Sequence, residues 1–404
     1  LEVTLAEATR RAIDVQPAMV QARGSVRAAA ASDRVAWGAF LPTISTSASA
    51  VRSNSPRRDQ LTDEVFPPGY SYSVGLTARM DLFDGLRRIS EKRASSATLN
   101  AADAGVVNQR FQTTLTTKQL FFTALANDEL VRVAEAQVRR AQQQLQIAVE
   151  KLRAGSATRS DSLRATVDHG NARINLLAAR ASLATAQANL GRQIGVADRV
   201  HAAPETTLVA LPDTAALRAE ALRSAPAVVQ AEAEAVAARA QVVAARSQYL
   251  PTLAVSYSTT RNGLEAPWQG MSGYTEGFNW RFALSWELFD GFTRERTQVN
   301  ASVARDNAQA GAADARRQVS AQLTQRLAEL ATAFAQIEIA RANLAAATED
   351  LRVQQERYRV GAATILDLLT SQASLAQAEV NVVQTRFNYL IARAQVEALA
   401  GRTL

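Results

Sequence analysis

Few residues in this chain could do chemistry, and their spacing limits what each could do. Among 404 residues there is no cysteine, and His169 and His201 are the only histidines. That excludes disulfides, thiolate metal sites and cysteine nucleophiles, and it leaves an imidazole metal cage without enough ligands. Asp168-His169 has the residue types of an acid–base dyad. No serine in a strained elbow accompanies it, so a solvated helix face is expected. Gly191-Arg-Gln-Ile-Gly195 has small-xxx-small spacing but sits among charges near a helix end, where a terminal cap is expected. Phosphate loops, metal-ligand spacings and dinucleotide fingerprints do not occur. The strongest polar signal is doubled. Thr158 with Asp161, and Thr364 with Asp367, have the spacing of a capping box, in which an acid near a helix N-terminus closes the first turn. Such pairs start helices and turn over no substrate, so neither an enzyme nor a cofactor is expected.

The net charge is +7 and the isoelectric point about 10.1; all but Lys92, Lys118 and Lys151 of the 45 basic residues are arginine. Nucleic acid would be the reflex inference. The arginines, however, are dispersed among acids, as in Arg294-Glu295-Arg296, with no basic block or aromatic platform. No run of about 18 apolar residues exists, so a transmembrane helix is excluded while barrel strands are not. The first residues, Leu1 to Ala8, lack the basic start and apolar core of a signal peptide, so a mature or trimmed chain is expected if the protein is exported.

The elements that hold these residues come in two copies. Pro17-Ala-Met-Val-Gln-Ala22 recurs as Pro226-Ala-Val-Val-Gln-Ala231, and Leu41-Pro-Thr43 as Leu250-Pro-Thr252. Leu82-Phe-Asp-Gly85 recurs as Leu288-Phe-Asp-Gly291, and Leu152-Arg-Ala-Gly-Ser-Ala-Thr158 as Tyr358-Arg-Val-Gly-Ala-Ala-Thr364. The repeat is half the chain, too long for a solenoid unit, and reads as a tandem duplication of residues 1–210 and 211–404.

Each copy has a stretch of period two. Tyr72, Val74, Leu76, Ala78, Met80 and Leu82 alternate with small or polar residues, as do Phe278, Trp280, Phe282, Leu284, Trp286 and Leu288. These are strands. Weaker alternating partners precede them, Thr43 to Val51 and Thr252 to Thr260, which gives hairpins over 41–83 and 250–289. A run of 12 residues is about twice a typical strand. The aromatics on its apolar side, expected toward the strand ends, resemble a membrane-interface belt, and Arg79, Asp81 and Arg281 opposite suit a wet lumen. Four strands cannot close a membrane barrel, whose minimum is about eight. The barrel must be shared between protomers.

The remainder reads as helix. Long helices are expected over 86–153 and 292–357, each about 100 Å at 1.5 Å per residue. In copy two, Leu323, Leu327, Leu330, Phe334, Ile337, Leu344 and Leu351 follow a four-three spacing; in copy one, Val131, Val138, Leu145 and Leu152 recur at sevens. This is coiled-coil periodicity, with alanine permitting close approach. Turns at 154–158 and 358–364 reverse the chain into return helices reaching residues 195 and 401. A further helix, 214–249, leads into the second hairpin. Matched lengths put Gly155 and Gly361 at the end farthest from the barrel.

A duplicated unit of helix, strand hairpin, very long helix, tip turn and returning helix resembles the TolC-like family of outer-membrane efflux proteins over the whole chain. Leu-Pro-Thr at each strand entrance, Leu-Phe-Asp-Gly at each strand exit and Tyr358-Arg-Val-Gly-Ala-Ala-Thr-Ile-Leu-Asp367 at the tip look like the family's signatures. The resemblance implies an α+β membrane protein, a homotrimer with a long coiled-coil α-helical barrel in the periplasm and a 12-stranded β-barrel in the outer membrane. It also implies a passive exit duct for an inner-membrane pump, joined through a periplasmic adaptor. Ala154, Gly155, Ser156, Val360, Gly361 and Ala362 match the adaptor-docking tips. Asp161 and Asp367 match acids that help close the periplasmic entrance. The sequence departs from the family pattern in having Thr370 at a second ring-acid position and Ala363 where some members carry a linking arginine; Arg159 and Tyr358 are expected to take over part of that latch. Tyr72, Phe83, Phe278, Trp280 and Trp286 are the expected membrane belt. Small-molecule export is the first expectation for the duct, and type I protein secretion the alternative. A coiled-coil structural or adhesive protein and a pump adaptor are the competing classes.

Overall fold

The structure, a computed structural model, describes residues 1–58, 65–204, 218 and 223–404. The described strands are β1 (Glu2–Val3), β2 (Thr43–Ser53), β3 (Arg57–Arg58), β4 (Val65–Phe66), β5 (Gly69–Phe83), β6 (His201–Ala202), β7 (Thr252–Gly263) and β8 (Thr275–Ser285). The described helices are α1 (Leu5–Val15), α2 (Pro17–Gly38), α3 (Arg87–Arg153), α4 (Arg159–Gln193), α5 (Pro226–Arg246), α6 (Thr293–Arg359) and α7 (Ile365–Ala400). Both long helices run 67 residues. Of the expected 214–249 helix, residues 214–217 and 219–222 lie outside the described residues, as does Pro212 in the preceding connection; α5 and a single 3₁₀ turn, Ser247–Tyr249, form its described end.

Two compact units divide the chain: residues 1–25, 103–231 and 312–404 in one, 26–102 and 232–311 in the other. Each draws matching pieces from both sequence copies, so the copies interleave in space.

The first unit is helical. Its core holds Phe121, Leu190, Leu323, Leu330, Tyr389 and Val396, all at most 0% exposed. α6 keeps most of its expected seam, with Leu323, Leu330, Ile337 and Leu351 buried and Leu327 and Leu344 half-buried, but Phe334 is exposed and its neighbour Ala333 takes the buried place. On α3 the seam has shifted: Val131, Val138, Leu145 and Leu152 are half-buried, and Ala134, Ala141 and Ala148 are buried instead. Alanine lets a facing helix approach most closely, so the larger residues are pushed to its flanks. A short parallel pair, β1 with β6, ties residues 2–3 to 201–202. Across the core, the Lys118 ammonium binds the Glu397 carboxylate, which Arg393 also approaches at 3.4 Å.

The second unit holds the main sheet, ordered β2-β5-β7-β8 and antiparallel throughout. The observed strands outrun the expected ones at the hairpin ends of β2, β5 and β7. β8 falls short, stopping at Ser285 although its alternation continues to Leu288. Within the hairpin, Thr252 pairs with Ser285, and the next residue, Pro251, has no amide hydrogen to extend the ladder. β5 faces the same obstacle at Pro42, yet reaches Phe83 because β7 pairs its other side.

Candidate functional site

Register assigns every sheet side chain to a face. One face carries the row Ile44, Ala78, Tyr257 and Trp280, then Thr46, Leu76, Thr259 and Phe278 on one side of it, and Met80, Val255 and Phe282 on the other. Leu253 and Leu284 with Phe83, past a bulge between Asp81 and Phe83, form the last row. Four rows at about 6.8 Å make an apolar band of roughly 20–27 Å, the height of a barrel's lipid-facing belt. The opposite face holds Ser45, Ser47, Ser49, Ser73, Gly75, Thr77, Arg79, Ser256, Ser258, Asn279 and Arg281. The apolar side chains of β8 remain exposed, Phe282 at 69% and Leu284 at 74%, while Met80, Leu253, Val255 and Tyr257 in the middle of the sheet are half-buried. A soluble sheet would bury that face; this one presents it to lipid.

Charge closes the band on the hairpin side. The row beyond Phe278 holds Arg261 and Glu276, paired at 3.1 Å, and Arg52 lies two rows further, 5.7 Å from the Tyr70 ring centroid. Tyr72, expected in the belt, stands beyond the Arg261 row with Tyr70 and Trp268 around it, at 6.0 and 6.1 Å between centroids. Phe278 occupies the last apolar row and Phe83 the opposite one. Trp280 is the sixth of eleven residues in β8 and lies mid-band against Tyr257, 4.8 Å between centroids, so the strand-end position expected for it does not hold. Trp286 lies beyond β8, where its indole N–H donates to the Tyr249 carbonyl at 3.3 Å. Sequence reasoning missed Trp268, Tyr249, Phe289 and Phe292 because turn residues stand outside the alternation.

The strand-to-helix elbows are built alike in both copies. Gly85 and Leu86 have φ of 68° and 64°, Gly291 and Phe292 66° and 67°. Two consecutive left-handed residues, one of them bulky, need support from outside the backbone. Asp84 Oδ2 accepts from the backbone N–H and Nε of Arg88 at 3.0 and 3.1 Å; Asp290 Oδ2 accepts from the same groups of Arg294 at 2.9 and 3.1 Å. The remaining guanidinium nitrogens of Arg294 donate to the carbonyls of Glu287 and Leu288. The signature therefore extends three residues past its glycine, to an arginine visible in both copies.

At the tips, Gly155 and Gly361 are left-handed, with φ of 74° and 80°. Ser156 N–H donates to the Lys151 carbonyl at 2.9 Å and Ala362 N–H to that of Arg357 at 2.7 Å, the six-to-one bond that ends a helix on glycine. Both capping boxes form with matching geometry. Thr158 and Thr364 N–H each donate to the aspartate Oδ2 at 2.9 Å, and Asp161 and Asp367 N–H each donate to the threonine Oγ1 at 3.2 Å. The threonine backbone N–H, reinforced by its hydroxyl, holds both carboxyls below the ordinary aspartate pKa. Tyr358 lies in the last turn of α6, not in the turn, and is buried with Leu351, Ile365 and Leu368. Its carbonyl accepts from Lys151, whose ammonium stands 4.0 Å from the ring centroid. Burial, then the nearby Asp161 charge, raises its phenol pKa. Thr370 donates to the Leu366 carbonyl of its own helix at 2.9 Å. Arg159 is exposed and makes no hydrogen bond or ion pair among the described residues.

Of two expectations about polar motifs, one changes and one stands. Asp168 and His169 are half-buried rather than solvated; burial raises the Asp168 pKa, opposed by His169. Asp168 falls three residues after Ala165 and four before Ala172, both buried, so it shares the covered face of α4. Gly191 and Gly195 do form a terminal cap, with Val196 N–H donating to the Gly191 carbonyl at 2.8 Å, and Gly191 also packs tightly: a Cβ there would stand 2.8 Å from the Asp198 carbonyl oxygen. Among the described residues no helix is long and apolar enough to cross a membrane, and no group of acids and histidines could hold a metal.

An exposed apolar band on a sheet backed by a polar face, carried with 67-residue helices, defines a membrane-inserted channel scaffold. The chain belongs to the outer membrane efflux protein family, whose model matches residues 8–196 and 217–402. It is 23% identical over 411 residues to the outer membrane efflux protein BepC of Brucella suis biovar 1, covering 100% of this chain and 86% of that one. Protein CyaE of Bordetella pertussis is 28% identical over 394 residues, covering 92% and 78%. The solved outer membrane protein VceC of Vibrio cholerae superposes with a TM-score of 0.84 at 18% identity, covering 99% of this chain and 96% of that one. The protein is thus a TolC-like efflux channel of the outer membrane that extends into the periplasm, and it is not an enzyme. The structural, adhesive and adaptor readings fall away.

Proposed function

We propose that three copies close a 12-stranded β-barrel in the outer membrane and a helical barrel in the periplasm, each copy a duplicated unit of 1–210 and 211–404. The assembly is a passive exit duct that takes small molecules from an inner-membrane pump through a periplasmic adaptor. One observation carries this reading: the four-stranded sheet has a lipid-suited face, a polar face and two open edges, β2 and β8. Unpaired strand edges are not tolerated in hydrocarbon, so each must meet another strand.

The tip turns Ala154-Gly155-Ser156 and Val360-Gly361-Ala362 receive the adaptor. Asp161, Asp367 and Tyr358 form the closed periplasmic entrance, with Arg159 and Thr370 at its margin. The Lys151 side chain supports this arrangement, because it donates to the Tyr358 carbonyl and its ammonium stands 4.0 Å from that ring centroid, tying the tips of the two copies together. Light scattering with bound detergent subtracted should give three 43.4 kDa chains that precipitate without detergent. A well-behaved soluble monomer would overturn the duct. In planar bilayers, Asp161→Lys or Asp367→Lys should raise closed-state leak several-fold; unchanged leak would remove both acids from the entrance.

A further inference from the structure

Lys118, Glu129, Arg140 and Lys151 recur along α3 at elevens. Eleven residues are close to three helical turns, so the four share one face. Three of them are rungs of an ion-pair ladder to α7. The Lys118 ammonium binds the Glu397 carboxylate, Arg386 Nη1 donates to Glu129 Oε1 at 3.0 Å, and two guanidinium nitrogens of Arg140 donate to the Glu379 carboxylate at 3.1 and 2.6 Å. The α7 partners descend from 397 through 386 to 379, and seven or eleven residues further stand Gln372 and Leu368. Neither is an acid. α7 has no acid between Glu379 and Asp367, which is bound in its own capping box. Lys151 turns to the Tyr358 carbonyl and ring and has no carboxylate partner among the described residues. The fourth rung is a cation without its anion.

A cavity of about 400 Å³ lies at this rung, with Gln144, Lys151 and Gln372 in its lining. That volume is in the range of small-molecule pockets. Gln144 is only 4% exposed, and its Nε2 is buried with no hydrogen-bond partner. A buried amide N–H without an acceptor is unfavourable, and an acceptor placed in the cavity would relieve it. The other cations at the cavity are matched, Arg140 by Glu379 at 2.6 Å and Arg359 by Glu356 at 3.0 Å. Lys151 therefore leaves one positive charge over. Ile147, Tyr358 and Leu368 give the same cavity an apolar wall.

We infer that this cavity binds a small organic carboxylate. Its oxygens accept from the Lys151 ammonium and the Gln144 amide, and its apolar body lies against Ile147, Tyr358 and Leu368. One unmatched charge suits a monocarboxylate better than a doubly charged phosphate. The ligand supplies the acid that α7 lacks. It sits one turn before Gly155, where α3 of the first sequence copy meets α6 and α7 of the second, and completes the ladder that joins them.

Full-length protein in detergent, titrated with 4-fluorobenzoate and followed by fluorine NMR, tests this. Saturable binding is expected. Lys151→Gln keeps a donor for the Tyr358 carbonyl but loses the charge, and Gln144→Leu removes the orphan amide; each should weaken binding about tenfold, the loss of one charge-assisted hydrogen bond. Lys151→Arg should retain most of it. Gln372→Glu offers the missing acid from α7 itself and should abolish binding while raising the urea midpoint, which shows that the fold is kept. Neutral benzamide and benzenephosphonate should compete poorly. Absence of saturable binding to the wild type would overturn the site, as would equal binding by the wild type and all four variants, which would place the probe in the micelle. Stronger competition by the phosphonate would overturn the carboxylate assignment.

Discussion

The tips and the elbows both occur twice, and they differ in what the repetition preserves. At the tips, the capping bonds of copy one and copy two agree to within 0.1 Å in each pair, and neither glycine has anything within 4 Å of an added Cβ. At the elbows the local bonds also agree, but the surroundings diverge: Asp84 is 4% exposed and Gly85 is tightly covered, while Gly291 stands open. Identical short sequences reproduce their own hydrogen bonds. What lies across from them is decided by the rest of the chain: residues 247–250 cover Gly85, and no described residue covers Gly291.

The largest test of this contrast lies in the sheet above the elbows. Phe282→Arg puts a charge in the apolar band and should cost about 2–4 kcal/mol near the bilayer midplane, while Ala283→Arg, one residue on, faces the polar side and should stay within about 0.5 kcal/mol. Folded yield in the outer membrane and urea midpoints in lipid measure both. Equal costs would mean that the faces are misassigned.

The elbows come next. Asp84→Ala removes the partner of an Arg88 side chain that is only 11% exposed, leaving its charge and one helical N–H unpaired, which costs roughly 2–4 kcal/mol. Asp290→Ala takes the same partner from Arg294, whose side chain is 13% exposed, and should cost about as much. Urea midpoints of the two variants in detergent make the comparison. A clear difference between them would mean that the covering of Gly85, absent at Gly291, sets the stability of an elbow more than its own bonds do.

The same division explains what was legible from sequence. Strand period, long helices, tip glycines and capping boxes are set by residues a few positions apart, and they stand where the spacing put them. The shift of the α3 seam onto Ala134, Ala141 and Ala148 was hidden, because hydrophobicity marks the larger residues while close packing rewards the smallest. Trp280 was misplaced for a related reason: alternation gives the face of a side chain, but its height in the band follows from pairing partners. The early end of β8 was out of reach too, because the stop is set by its partner strand, where Pro251 precedes Thr252 and has no amide hydrogen to offer. The elbow arginines Arg88 and Arg294 were readable, since they recur at one offset with the signature, had the repeat been followed past its glycines.

The smallest effects belong to the tips, and their equality is the point. Thr158→Ala and Thr364→Ala each lose a cap and should each cost about 1 kcal/mol, read as faster amide exchange in the first turns of α4 and α7. Acid should act in the same direction. Asp161 and Asp367 have folded-state pKa values below the unfolded value because the threonine N–H and hydroxyl bind the ionised carboxyl. Their contribution is fully present above the unfolded pKa of about 4 and is lost as pH falls through the lower folded values. Exchange at the two tips should accelerate together as pH drops below about 4, after correction for intrinsic rates. If only one tip responded, the second would be held by something other than its own sequence, and the entrance rather than the cap would govern that aspartate.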